Sequence, residues 1–291
     1  MQLINEILIP TDFSPRSADV AQYAAALARR FHAKIALLHV LLPVNSGLAA
    51  TGNFTLIEEL RALQKAQAND YLSRFATDEL GNSTVKRIVL EGDPAEVITD
   101  YAAAQGVDLI MMPTRGSGAF RRFLLGSVTA KVLHDARCPV WTSSHLQEQH
   151  PVVCAMPKVI ACAINEGEDE GELLHWASNW AAELQARLVV VQAISSLEFH
   201  PETYFLEADM RRKVIGTAKT KILGALPALV KPIADIRVDG GRVSTVVRVA
   251  TEDCGADLLI IGRSSGKGML GRLGTHSYAL IRESPCPVIS I

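Results

Sequence analysis

Short apolar runs alternate with longer stretches of helical periodicity along the first half of the chain. Glu6–Ile9 (EILI) predicts a strand that runs into Pro10, Thr11, Asp12 and Phe13. Ser14 as N-cap and Pro15 at the first helical position then predict a helix start, and apolar residues recur at Val20, Tyr23, Ala24, Leu27 and Ala28. Lys34–Val40 (KIALLHV) predicts the second strand, Pro43–Thr55 a loop and Leu56–Ala76 a helix. A third strand is expected near Thr84–Leu90. Asp93, Pro94 and Glu96 form a capping-box-like start to a helix reaching Gln105. Asp108–Met112 (DLIMM), an amphipathic run Ser127–Ala136 and Cys138–Thr142 complete the half, with Pro139 suited to the start of an edge strand.

Alternating strands and helices with short connections predict right-handed crossovers and a parallel sheet covered on both faces. Ligands of such sheets bind beyond the carboxyl ends of the strands, at the switch point. The segments after strands one, two and four are therefore expected to line one crevice.

The second half repeats the plan. Cys286-Pro287-Val288 repeats Cys138-Pro139-Val140 at an offset of 148 (286 − 138), and Gly274-Thr275 repeats Gly126-Ser127 at the same offset. Asp257–Ile261 repeats DLIMM at 149 (257 − 108), so the second glycine loop is one residue shorter. Lys158–Ala163, Arg187–Ala193 and Ala234–Val238 correspond to the first three strands. Two α/β domains are predicted, 1–147 and 148–291, with a polar linker around Ser143–Pro157; the 291-residue length fits two such units.

Composition narrows the function. Lys and Arg total 29 against 31 Asp and Glu, a formal charge of −2, which leaves no bulk electrostatic footprint for nucleic acid or an acidic membrane. Aromatic residues make up 5%, too few for base-stacking platforms. The N-terminal segment MQLINEILIP lacks the pattern of a signal peptide, and no stretch is apolar enough to span a bilayer. Cys138, Cys154, Cys162, Cys254 and Cys286 form no CxxC pair and have no zinc-finger partner, so reduced, mostly buried thiols in a cytoplasmic protein are expected.

The candidate chemistry lies in Pro113–Thr129 (PTRGSGAFRRFLLGSVT), a strand end, a glycine-bearing loop and a helix start. The first amides of a helix lack intrahelical partners and favour an anion, and a glycine permits close approach of a ligand to the backbone. Two nucleotide signatures are excluded. PTDFS after the first strand contains no glycine for a dinucleotide fingerprint, and Gly266-Lys267 is followed by Gly268 where a Walker loop needs Ser or Thr.

PTDFS at Pro10–Ser14, LLHV at Leu37–Val40, Gly116 followed after nine residues by Gly126-Ser127-Val128-Thr129, and CPV at Cys138–Val140 together resemble the universal stress proteins, as a tandem pair over nearly the whole chain. The resemblance implies two Rossmann-like (adenine nucleotide alpha hydrolase-like) domains, each with a five-stranded parallel sheet flanked by helices. It implies ATP, with or without Mg2+, in one branch of the family. Carried over to this sequence, Asp12 and Val40 would hold the adenosine end. Gly116, Gly126 and Ser127 would hold ribose and phosphates, with Pro10, Thr11, Thr114, Arg115, Val128 and Thr129 beside them. Asp12 could accept from ribose hydroxyls or the exocyclic amine, or act as a helix cap, and Val40 could pack on a base or belong to the core. Gly126 and Ser127 would offer amides and a hydroxyl to phosphate.

Two departures from the family pattern stand out. Pro113 occupies a position usually held by glycine and has no N–H. In the second half Gly262 is present, but Asn165 replaces the Asp, Ala163 replaces the Pro, and Ser265 aligns with Gly116 in a shortened loop; either a different ligand or a purely structural copy would follow. Arg115, Arg121 and Arg122 could clamp phosphates or a partner, with a solvated loop face as the alternative for Arg121 and Arg122, and His39 reads as packed and hydrogen-bonded. His134, His175 and His276 have no ligand spacing. No catalytic set and no metal set is visible, so at most slow ATP hydrolysis is expected. The sequence thus points to a stress-response regulator that binds an adenine nucleotide mainly in the first domain, with an unknown protein partner, an intrachain pseudo-dimer and an open question of homodimerisation. A nucleotide-independent interaction scaffold is the alternative.

Overall fold

The structure is a computed structural model that describes residues 4–43, 54–81, 83–116, 125–143, 156–165, 170–197, 208–228, 230–231, 234–263 and 275–291. The chain separates into two compact units, Met1–Thr142 and Met156–Ile291. The predicted boundary between 147 and 148 lies outside the described residues.

Unit 1 comprises β1 (Glu6–Pro10), α1 (Pro15–Phe31), β2 (Lys34–Leu41), α2 (Phe54–Arg74), a short α3 (Thr77–Leu80), β3 (Val85–Glu91), α4 (Pro94–Gln105), β4 (Leu109–Met112), α5 (Ser127–Asp135) and β5 (Val140–Thr142). Its strands are parallel in the order β3-β2-β1-β4-β5. Ile7, Leu8 and Ile9 in β1 have no solvent exposure, as expected of a central strand covered on both faces. The chain runs outward from β1 through β2 to β3, then returns to the other side for β4 and β5. The switch point therefore falls between β1 and β4.

Local chemistry sets the helix ends. Ser14 caps α1 by accepting from the Ser17 amide, with Pro15 following at the first position. Val20, Ala21, Ala24, Ala25, Leu27, Ala28 and Phe31 are buried on the inward side of α1. Asp93 caps α4 through the amides of Ala95 and Glu96. The helix predicted to reach Ala76 stops at Arg74 instead. Ala76 has φ 52°, a left-handed turn that separates α2 from α3. Arg87 Nε, from β3, donates to the carbonyl of Leu72 at 2.8 Å and ties down an end that a cation favours.

Unit 2 repeats the architecture with β6 (Val159–Ile164), α6 (Glu170–Leu184), β7 (Arg187–Ile194), α7 (Ala208–Ala225), β8 (Asp235–Gly240), α8 (Val243–Cys254), β9 (Leu258–Ile261), α9 (Thr275–Glu283) and β10 (Val288–Ser290). A 3-10 turn, Ser195–Leu197, follows β7. The strand order is β10-β9-β6-β7-β8, again parallel. Each unit is thus a Rossmann-like five-stranded layer with helices.

One carboxylate recurs in both units. Asp108 Oδ2 accepts from the amides of Asn5 (2.7 Å) and Glu6 (3.0 Å) at the start of β1. Asp257 Oδ2 accepts from Lys158 (2.9 Å) and Val159 (3.0 Å) at the start of β6. The Asp that opens DLIMM and DLLII therefore fixes the neighbouring strand at the end opposite the crevice.

Candidate functional site

β1 delivers Thr11 to the carboxyl edge of the sheet, where its amide still donates to the Leu38 carbonyl at 2.9 Å. The chain then turns tightly. The Phe13 amide donates to Thr11 Oγ1 at 3.0 Å and the Ser14 amide to Asp12 Oδ1 at 3.1 Å. Phe13 takes φ 62°, an unusual backbone for a non-glycine residue. Its ring packs on His39 with centroids 4.3 Å apart and meets Phe75 edge-on at 5.6 Å. His39 Nδ1 lies 2.8 Å from the Thr11 carbonyl; that oxygen can only accept, so Nδ1 carries the hydrogen. His39 is packed and bonded, as the sequence suggested.

The same turn fixes Asp12. Ser17, with 1% of its surface exposed, donates from Oγ to Asp12 Oδ1 at 2.8 Å. A single carboxylate oxygen thus serves the helix start, and the capping role foreseen for Asp12 exists beside any ligand role. Oδ2 lies against Gly116, where an added Cβ would fall 2.5 Å from it. Arg16 Nη1 donates to the Gly116 carbonyl at 3.0 Å.

The opposite wall begins at the end of β4. Thr129 Oγ1 donates to the Pro113 carbonyl at 3.0 Å, and the Gly126 amide donates to the Thr114 carbonyl at 2.9 Å. Gly126 was expected to present a free amide to phosphate; the structure engages that amide within the loop. Gly126 is the N-cap of α5 and offers no side-chain cap, so the first-turn amides, which have no i−4 partner within a helix, are those of Ser127, Val128 and Thr129.

These walls enclose a cavity of about 510 Å³ at the carboxyl edge of unit 1. Pro10, Thr11, Asp12, Val40, Arg115, Gly116, Gly126, Ser127, Val128 and Thr129 all line it. Thr114 does not; it is 3% exposed and acts through its carbonyl. Leu38, Pro94, Ile98, Met112 and Leu125 supply an apolar lining that was not among the candidate site residues. The capping box at Asp93–Glu96 was the available signal for Pro94, because it starts a helix at the same sheet edge. Asp93 is held below the usual carboxylate range, chiefly by the Glu96 amide, and Lys131 of α5 pairs with it at 3.4 Å. Arg121 and Arg122 lie outside the described residues.

Unit 2 keeps part of this construction. Ser277 Oγ donates to the Gly262 carbonyl at 3.1 Å, the counterpart of the Thr129–Pro113 bond. Asn165 is exposed after β6. The loop that would carry Ser265 and Gly274 lies outside the described residues.

A profile described as the universal stress protein family matches residues 4–143 and 156–291. The chain belongs to the universal stress protein family, as two tandem repeats. A universal stress protein of Methanocaldococcus jannaschii is 36% identical over 139 residues, covering 47% of this chain and 81% of that protein. One from Thermus aquaticus is 32% identical over 142 residues, covering 47% and 97%. Among solved structures, a universal stress protein from Archaeoglobus fulgidus aligns over 98% of this chain and 95% of its own with a TM-score of 0.66. At 20% identity that likeness shows the fold of a universal stress protein and nothing of its ligand.

Proposed function

We propose that unit 1 binds an adenine nucleotide, with ATP as the ligand, and that unit 2 is a divergent copy without the same site. The carrying observation is the 510 Å³ cavity in which Asp12, Val40, Gly116 and the start of α5 converge at the switch point. The strand order gives the cavity a natural sequence of subsites. Val40 at the end of β2, with Pro94 and Ile98, offers an apolar slot for a base. Asp12, after the neighbouring β1, stands where a sugar hydroxyl would need an acceptor. The amides of Ser127 and Val128 and the Ser127 hydroxyl offer donors to phosphate oxygens at a helix N-terminus. A Mg2+ would travel with the triphosphate. Nucleotide occupancy would then alter the surface shown to a partner protein.

Isothermal titration of nucleotide-free protein with Mg-ATP tests the proposal, together with Asp12→Ala and Gly126→Asp. Saturable binding that both substitutions weaken is expected. No binding to the parent protein, or equal affinity in both variants, would overturn it.

One set of observations favours a nucleotide-independent scaffold: Pro113 has no N–H, and the Gly126 amide and Thr129 hydroxyl are already engaged. Mass spectrometry of ligands released from freshly purified protein separates the two functions.

A further inference from the structure

Arg16 and Ser17 are consecutive residues in the first turn of α1, and each secures a different wall of the cavity. Ser17 Oγ holds Asp12 Oδ1 at 2.8 Å, and Arg16 Nη1 holds the Gly116 carbonyl at 3.0 Å. The two walls meet where Asp12 Oδ2 packs against the bare Cα of Gly116, with no room for a Cβ. Ser17 is itself immobilised. It is 1% exposed, its amide is bonded to Ser14, and its hydroxyl lies 3.2 Å from that of Ser14.

We infer that Arg16 and Ser17 are positioning residues that give the site selectivity for ribose over 2′-deoxyribose, by fixing the Asp12 carboxylate against Gly116. The inference rests on the nucleotide reading of this cavity. A carboxylate that follows a ligand freely accepts from whichever hydroxyl is present and discriminates little. A carboxylate pinned through one oxygen accepts along fixed directions, and a sugar that lacks the matching hydroxyl forgoes that charge-assisted hydrogen bond. Asp12 belongs to the turn between β1 and α1, and the bonds from the Ser14 amide and the Ser17 hydroxyl hold its Oδ1 there. The position of Gly116, which limits the space in front of Oδ2, is governed by Arg16 from the same helix turn. One rigid element thus sets both sides of the gap.

Titration of the full chain with Mg-ATP and with Mg-2′-deoxyATP tests this. The parent protein is expected to prefer ATP by about tenfold or more, the worth of one hydrogen bond to a charged group. Arg16→Met and Ser17→Ala should reduce that preference to about threefold or less, mainly by weakening ATP binding while 2′-deoxyATP changes little. Arg16→Lys retains a donor for the Gly116 carbonyl and should keep the preference. Thermal melting of each variant checks folding. An unchanged preference in folded Arg16→Met and Ser17→Ala would overturn the inference and leave nucleotide binding intact, as would equal affinity of the parent protein for both ligands. Failure of the parent protein to bind either ligand would instead remove the nucleotide reading beneath it.

Discussion

Asp12 Oδ2 lies so close to Gly116 that a Cβ at that glycine would stand 2.5 Å away. Gly116→Ala must therefore displace the carboxylate and disturb its bonds to Ser14 and Ser17. Mg-ATP affinity is expected to fall by about tenfold or more, because two hydrogen bonds to a charged group are perturbed. Calorimetric titration measures the loss, and wild-type affinity in a folded Gly116→Ala protein would contradict it.

The hydroxyl-to-carbonyl bond found in both repeats allows an internal comparison. Thr129→Val and Ser277→Ala each leave a carbonyl, of Pro113 or Gly262, without its donor. Each should lower stability by about 1–3 kcal/mol in urea denaturation. Only Thr129→Val should also weaken nucleotide binding, since Thr129 lines the cavity.

Two carboxylates in unit 1 should respond to acid in opposite ways. Burial, reinforced by repulsion from Glu79, raises the Asp19 pKa. A raised folded-state pKa favours the native state below the unfolded value of about 4, and that advantage is lost as pH rises through the folded value. Asp19→Asn should thus raise Tm at pH 7, with the gain vanishing as the solution is acidified. Asp93 is lowered, chiefly by the Glu96 amide, so its contribution is present above about pH 4 and lost as pH falls through the depressed value. Asp93→Ala should lower Tm at pH 7 and approach the parent protein in acid. Melting curves across pH 2–7 read both.

Thiol chemistry offers a further check. Burial pushes the thiols of Cys162 and Cys286 up to about 12 and raises that of Cys254. A disulfide reagent at pH 8 should leave these three unmodified in the native protein and react with them on unfolding, because the thiolate is the nucleophile. Half-buried Cys138 should react earlier. A Cys154→Ser background keeps the assignment clear. Rapid native labelling of Cys162 would contradict its burial.

The architecture was legible because its signals are local. Apolar runs such as EILI and DLIMM marked central strands, Ser14-Pro15 and Asp93-Pro94 marked helix starts, and the 148-residue offset (286 − 138) exposed the repeat. The end of α2 was misplaced because Ala76 has no residue-type preference for a left-handed turn; the stop depends on Arg87, which arrives from β3. Arg16 and Ser17 were invisible as site residues for a related reason. Ser17 meets Asp12 only after the turn at Phe13 folds back, and Arg16 meets Gly116 across 100 residues. The engagement of the Gly126 amide likewise follows from loop closure onto Thr114 rather than from the glycine spacing.

Pro113 appeared in the sequence as a missing donor. In the folded chain, the group used at this position is the carbonyl, and the same holds for Gly262 in the second repeat. A carbonyl is present whichever side chain is attached, so the exchange of glycine for proline leaves that bond intact. What proline changes is the breadth of conformations open to the unfolded and unliganded segment. Under the proposed nucleotide function, a loop entry with one fixed torsion gives up less disorder when the ligand settles, an effect of Pro113 that works against the loss of its N–H.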